Sequence, residues 1–288
     1  MSPTPPNHAD LTHWQGEPIG VWEALWGIPR FEAWSEVAST NDQARDLALE
    51  GAPPWTTIVA TRQREGRGRA GRPWQSEEPT GLWVSFVLRP RAQAQGQLLP
   101  LFAGLALARA VEASPPFARP PDQGPTALDE RAALKWPNDV WWGGRKIAGI
   151  LCETVGPDIV VGLGVNLRVP DGGFAEAHAA QAGALEDLSG RSWSESRLLG
   201  RLIRELRALW EPPRLRFDPE MSAAWRARDL LRDRPVRVGE VAGRARGLTA
   251  DGALRIETQA GEVIPVRAGH VEWGDEVGST YDPDLAEE

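Results

Sequence analysis

Residues 133–169 read ALKWPNDVWWGGRKIAGILCETVGPDIVVGLGVNLRV, strand-like runs with no helical segment between them. Parallel neighbours need a crossover of about a dozen residues or more, whereas Pro137-Asn138-Asp139 and Gly143-Gly144 are signals for immediate reversal. This stretch is therefore read as an antiparallel meander and not as a βαβ series. Upstream, TTIVATRQ (56–63) reads as a strand running into a loop, GRGRAGRPW (66–74), with LWVSFVLRP (82–90) as the returning strand.

The helices announce themselves by their ends. Ser39-Thr40-Asn41-Asp42 offers N-cap candidates before QARDLALE, with Gly51 as the stop. LLPLFAGLALARAVEA (98–113) has the apolar density of a buried helix, and the Pro-rich SPPFARPPDQGP after it suits a surface loop. SWSESRLLGRLIRELRALW places Ser192 and Glu195 at capping-box spacing, and FDPEMSAAWRARDLL puts Asp218 at the cap with Pro219 at the first helical position. From about residue 233 come short strands with glycines at 239, 243, 247, 252 and 261, a pattern that suits a small SH3-sized β-barrel.

Composition narrows the function classes. A chain of 288 residues that is 41% hydrophobic and 25% charged can bury a sizeable core. Its net charge of −8 argues against general attraction to nucleic acid, so any anion it binds must meet a local basic cluster. The single cysteine, Cys152, excludes an internal disulfide and reads as a packed strand residue. Four scattered histidines, His8, His13, His178 and His270, show no metal spacing. There is no apolar run of membrane-spanning length and no signal-peptide pattern, so the expectation is a cytoplasmic protein.

Of 32 basic residues only Lys135 and Lys146 are lysine. A chain that uses arginine wherever a surface charge suffices keeps lysine where a compact ammonium is needed against a small anion. Asn41, Asn138 and Asn166 cluster in the same loop-like segments. Gly66-Arg67-Gly68-Arg69-Ala70-Gly71 matches G-x-G-x-x-G literally, but Pro73 and a new strand follow where a dinucleotide fingerprint requires a helix. What remains is a glycine loop carrying Arg67, Arg69 and Arg72, suited to phosphate or carboxylate, or else to a solvated basic turn or weak RNA contact. Asp139 with Asn138 suits a magnesium ion bridged to substrate phosphates, or simply a good turn. Gly149, Gly162 and Gly164 thin two neighbouring strands, which suits a flat slot for a ring system or close helix packing. Among fourteen tryptophans, Trp74 alone is placed to matter near a ligand.

Taken in order, STND (39–42), Gln63 with GRGRAGRPW, KWPNDV (135–140), RKIAGIL with Glu153, and GLGVNL (162–167) closely resemble the motifs of bacterial biotin protein ligases. The resemblance implies an α+β catalytic domain with a mixed, largely antiparallel sheet, related to class II aminoacyl-tRNA synthetases, followed by an SH3-like β-barrel. The implied divisions are a partly disordered 1–25, a catalytic 26–231, a β-domain at 232–278 and a disordered tail at 279–288. It also implies the chemistry. Biotin and MgATP give biotinyl-5′-AMP and pyrophosphate, and biotin then passes to a lysine of a biotin carboxyl carrier protein.

Carried over by position, Lys146, Arg69 and Lys135 are the expected catalytic residues. Ser39, Thr40, Asn41, Gln63, Gly66, Arg67, Gly68, Arg69, Lys146, Gly149, Gly162 and Gly164 are expected on biotin. Arg67, Arg69, Arg72, Trp74, Lys135, Asn138 and Asn166 are expected on ATP, and Asp139 on the metal. The family often brings an arginine from the last barrel strand to the nucleotide, and VRAGHVEWG aligns Arg267 or Gly274 there. Only 38 residues precede STND, too few for the helix-turn-helix of regulatory members, so DNA binding is not expected. A monomer or homodimer is expected. A lipoate or octanoate ligase of the same superfamily is the main alternative, and a non-enzymatic nucleic-acid-binding protein the more distant one.

Overall fold

The computed structural model describes residues 10–113, 131–212, 214 and 216–274. The Pro-rich run after residue 113 and the acidic tail lie outside the described residues. The N-terminal part that is described forms the hairpin β1 (His13–Trp14) and β2 (Glu17–Pro18), then helix α1 (Ile19–Trp26). Trp14 and Trp22 are buried, and Trp22 Nε1 donates to the Trp14 carbonyl at 2.8 Å. Part of the segment expected to be loose is thus pinned to the body by an aromatic cluster, with Trp14 and Trp26 edge-on to Phe31.

Strand β3 (Phe31–Val37), helix α2 (Thr40–Leu49) and strand β4 (Thr57–Gln63) form one parallel crossover unit, and β3 is a strand that the sequence reading did not place. Strand β5 (Gly81–Leu88) returns antiparallel on β4 as expected, and helix α3 spans Gln93–Glu112, starting earlier than its apolar run. The meander follows as β6 (Ala133–Lys135), β7 (Asp139–Trp142), β8 (Arg145–Val155) and β9 (Asp158–Asn166). The sheet order is β3-β4-β5-β9-β8-β7-β6, and every pairing except β3 with β4 is antiparallel.

Short helices α4 (Glu176–Ala179) and α5 (Leu185–Ser189) precede α6 (Glu195–Trp210) and α7 (Pro219–Arg226). The α6 cap is Ser194, whose hydroxyl accepts from Arg197 N; the expected Ser192 lies too far upstream. Asp218 caps α7 as the sequence implied, accepting from Met221 N at 2.9 Å. Helices α3 and α6 cover one face of the sheet and α2 the other. Strand β5 is buried along its whole length because both of its faces are covered. On α6 the residues Leu198, Leu199, Leu202, Ile203, Leu206 and Leu209 form the buried stripe, each worth about 1.5–3 kcal/mol on full burial.

The C-terminal strands are β10 (Pro235–Val238), β11 (Val241–Leu248), β12 (Leu254–Glu257), β13 (Val263–Val266) and β14 (Glu272–Trp273). They pair in the linear order β13-β12-β11-β10-β14, an open antiparallel sheet whose pairing does not itself close the expected small β-barrel. The last strand is only two residues long and pairs with β10 alone. Gly239, Gly252 and Gly261 adopt positive φ in turns, and Gly247 does so inside β11, where its register against β12 shifts. Gly243, also within β11, does not; a Cβ there would lie 2.1 Å from the Glu257 carbonyl oxygen.

Candidate active site

The carboxyl ends of the two parallel strands define where a ligand can meet the sheet. Val37 ends β3 and leads through Ser39 into α2, while Gln63 ends β4 beside it. Ser39 adopts the extended conformation of a helix cap, yet its hydroxyl makes no capping bond and it lines a cavity instead. That cavity, of about 390 Å³, opens past the first turn of α2 across β8 and β9.

A buried polar cluster shapes its inner end. Gln63 Oε1 accepts from Thr40 N at 2.8 Å and from the Thr40 hydroxyl at 3.1 Å, and Gln63 Nε2 donates to Ser76 at 3.2 Å. The Ser85 hydroxyl lies 2.8 Å from that of Thr40 and 2.7 Å from Asn41 Oδ1, and Asn41 Nδ2 donates to Glu153 at 2.6 Å. Every one of these amides is therefore locked in one orientation. Gly162 makes this possible, since a Cβ there would stand 2.1 Å from Asn41 Oδ1.

The loop 66–74 closes on itself through Gly68 N to Arg72 O at 2.7 Å and Trp74 N to Gly66 O at 2.8 Å. Gly66 does not line the cavity; a Cβ would collide with Ser76 Oγ and the Trp74 carbonyl, so glycine is required for the loop's own closure. Trp74 reaches back over the sheet. Its ring would be met by a Cβ at Gly149 (2.9 Å) and at Gly164 (2.4 Å), so the ring seated on these glycines is the protein's own indole. Arg67 is paired with Asp42 at 2.6 Å, and Arg72 Nη1 lies 3.3 Å from His270 Nδ1.

Both lysines line the cavity. Lys146 Nζ pairs with Asp139 Oδ1 at 2.8 Å and stands 5.4 Å over the Trp74 ring. Lys135 is buried, its Nζ 5.4 Å over the Trp273 ring of the C-terminal sheet. Asn138 Nδ2 donates to the Ile150 carbonyl at 2.9 Å, tying the turn to β8, and Asn166 Nδ2 donates to Gly183 O at 3.1 Å. Asp139, expected on a metal, pairs one carboxylate oxygen, Oδ1, with Lys146, and among the described residues there is no cluster of three His, Cys, Asp or Glu side chains that could hold a metal ion. The residues present do not amount to a cage for magnesium. Burial pushes the Cys152 thiol up, which leaves it a poor nucleophile.

Of the expected site residues, Ser39, Thr40, Asn41, Gln63, Arg67, Gly68, Arg69, Arg72, Trp74, Lys135, Asn138, Asp139, Lys146, Gly149, Gly162, Gly164 and Asn166 all line this one cavity. Arg267 does not. It is exposed and paired with Asp251 at 2.5 Å. The sequence reading missed Phe174, His178, Gln181 and Ala182, which a strap along β8 brings in through Lys146 N to Gln181 O and Gly183 N to Lys146 O. It also missed Gly269, His270 and Val271 from the loop between β13 and β14. Neither histidine has metal spacing; His270 falls within VRAGHVEWG, the segment expected at the nucleotide, but the residues named there, Arg267 and Gly274, are not the ones that line the cavity.

The biotin/lipoate A/B protein ligase family matches residues 35–168 of the chain. Over 244 residues the chain is 35% identical to a biotin–[acetyl-CoA-carboxylase] ligase of Paracoccus denitrificans, covering 79% of this chain and 94% of the relative. The ligase of the same description from Mycobacterium tuberculosis is 33% identical over 257 residues, 85% of this chain and 89% of that one. Among solved structures, the biotin protein ligase of Aquifex aeolicus in complex with biotin and ATP superposes with a TM-score of 0.69 at 26% identity, covering 86% of this chain and 99% of that chain.

Proposed function

The chain belongs to the biotin protein ligases, within the biotin/lipoate A/B family, and from that premise we propose that its cavity joins biotin to ATP and hands the acyl group to a carrier lysine. One observation carries this: a single cavity gathers the polar pocket of Thr40, Asn41 and Gln63 together with Arg67, Arg69, Arg72, Lys135 and Lys146. An acyl substrate needs the first group and two converging anions need the second.

In the first step a biotin carboxylate oxygen attacks the α-phosphorus of ATP and the bond to the β-phosphate oxygen breaks, releasing pyrophosphate. Both reactants are anionic, so fixed positive charge is the main thing the protein must supply. Lys146 is the compact cation for the reacting centre, oriented by Asp139. Lys135, held against Trp273, serves the nucleotide end, and Arg69 and Arg72 reach over from the loop. Magnesium, in this reading, arrives on the phosphates of ATP rather than in a protein cage. Trp74 and Asn166 flank the space left for the adenine. In the second step a neutral lysine amine of a biotin carboxyl carrier protein attacks the acyl carbon, and AMP leaves. Loop 66–74 keeps water from the mixed anhydride in the interval.

We read residues 26–231 with the N-terminal hairpin as the catalytic unit and the open C-terminal sheet as an SH3-like unit that completes the cavity. No helix among the described residues is long and apolar enough to cross a membrane. The test is transfer. Purified chain with MgATP, biotin and an isolated carrier domain is expected to add one biotin to one carrier lysine, seen by mass spectrometry, and lipoate or octanoate in place of biotin is expected to add nothing. Modification by lipoate alone would move the chain to the other branch of its family.

A further inference from the structure

Arg67 enters the cavity from a loop of glycines, yet its guanidinium is gripped. Nη1 donates to Asp42 Oδ2 at 2.8 Å and Nη2 to Asp42 Oδ1 at 2.6 Å, a two-pronged pair. Asp42 stands in the first turn of α2, directly after Thr40 and Asn41, which line the cavity. Arg45, a turn further on, holds the same carboxylate at 3.1 Å. The Arg67 guanidinium keeps the Asp42 carboxyl below the usual carboxylate range, and the positive end of α2 acts in the same sense. The paired side chains are 30% and 19% exposed, so water screens them only in part.

The remaining ties of the loop differ in kind. Gly68 to Arg72 and Trp74 to Gly66 bind the loop to itself, the Trp74 ring lies on Gly149 and Gly164 beneath Lys146, and Arg72 meets His270 in the loop between β13 and β14. Asp42 is the carboxylate that ties a loop arginine to the element carrying the polar pocket. A guanidinium has five N–H donors and this pair uses two, so Nε–H and the outer hydrogens of both Nη atoms remain for an incoming anion.

We propose that Asp42 is a positioning residue of the adenylation step: it fixes the Arg67 guanidinium in one orientation at the cavity wall and pins the base of loop 66–74 beside the acyl substrate. The proposal rests on the biotin ligase reading above, and its test separates the two. Biotin-dependent ATP–pyrophosphate exchange is measured for the wild type, Asp42→Asn, Asp42→Glu, Arg67→Ala and the Asp42→Asn/Arg67→Ala double variant, with a melting curve for each. Losing a charge-assisted pair, Asp42→Asn is expected to raise the KM for biotin about tenfold or more, with kcat changed less. Asp42→Glu is expected to recover part of that loss, and Asp42→Asn is expected to add nothing once Arg67 is alanine.

Wild-type KM in Asp42→Asn, or the same penalty with and without Arg67, would overturn the positioning role and leave the ligase reading standing. A wild type without exchange would remove both. Should Asp42→Asn fail to fold, Asp42→Glu compared in the wild-type and Arg67→Ala backgrounds decides in the same way: a KM penalty confined to the wild-type background supports the role, and an equal penalty in both ends it.

Discussion

Lys146 stands between a carboxylate and an indole, with Asp139 2.8 Å from its Nζ and the Trp74 ring 5.4 Å away. A planar guanidinium is too broad to keep both contacts, so Lys146→Arg is expected to lower biotin-dependent exchange by about 10² or more. Near wild-type exchange in that variant would mean that charge alone, not its compactness, is what the site requires. The lysine was legible in the sequence because the chain spares lysine everywhere else. Its partner was not, since Asp139 in a Pro-Asn-Asp turn reads equally as a turn former or a metal ligand, and only the register of β7 against β8 brings it to Lys146. The glycines were legible as room for a ring. Which ring they admit depends on a contact between a loop and two strands that no local pattern encodes.

At the scale of elements, the seating of Trp74 on β8 and β9 gives a direct test. Gly164→Ala places a Cβ 2.4 Å from Trp74 Nε1, below any ordinary contact, so the indole must leave its seat. The expected result is a KM for ATP raised about tenfold, with much of the added penalty gone when Trp74 is already alanine. Full additivity of the two substitutions would break the link. A second test concerns the segment between α7 and β10. Asp229 bridges to Leu134 at the start of the meander, and burial pushes its carboxyl up to about 6 while Oδ2 has no hydrogen-bond partner. The folded state holds the proton more tightly than the unfolded one. Stability from this group is therefore full below about pH 4, where both states are protonated, and is lost as pH rises through 6. Asp229→Asn is expected to raise the melting temperature at pH 7.5 and leave it unchanged near pH 4; an equal shift at both would refute the ionisation argument. Strand alternation and caps made most of these elements readable. Strand β3 and the N-terminal hairpin escaped because β3 is ordered by parallel pairing on β4 and the hairpin by tryptophan packing on α1 and Phe31, contacts that no local pattern encodes.

The cavity draws its lining from the loops and strands of the large sheet and from residues 269–271 far along the chain, and its chemistry should bear the mark of the composition. A ligase that loses its acyl adenylate acylates nearby amines, yet this chain has only Lys135 and Lys146, both lining the cavity. The α-amino group, with a pKa near 7.7–8.0 against about 10.4 for a free lysine, is the remaining ready target. Untagged chain incubated with biotin and MgATP should thus carry little biotin, and mass spectrometry should find it at the N-terminus or the two lysines. Heavy modification of Lys146 without loss of activity would contradict its placement at the reacting centre. The part of the cavity lined by residues 39–166 was readable because those residues fall in ordered motifs, whereas Phe174, His178 and His270 arrive through tertiary packing alone. The most direct test of the account is biotin-dependent exchange of pyrophosphate into ATP by the purified chain. The account predicts exchange that requires biotin, is not supported by lipoate or octanoate, and falls by about 10² in Lys146→Arg. Exchange that is absent with biotin, or equal with and without it, would contradict it.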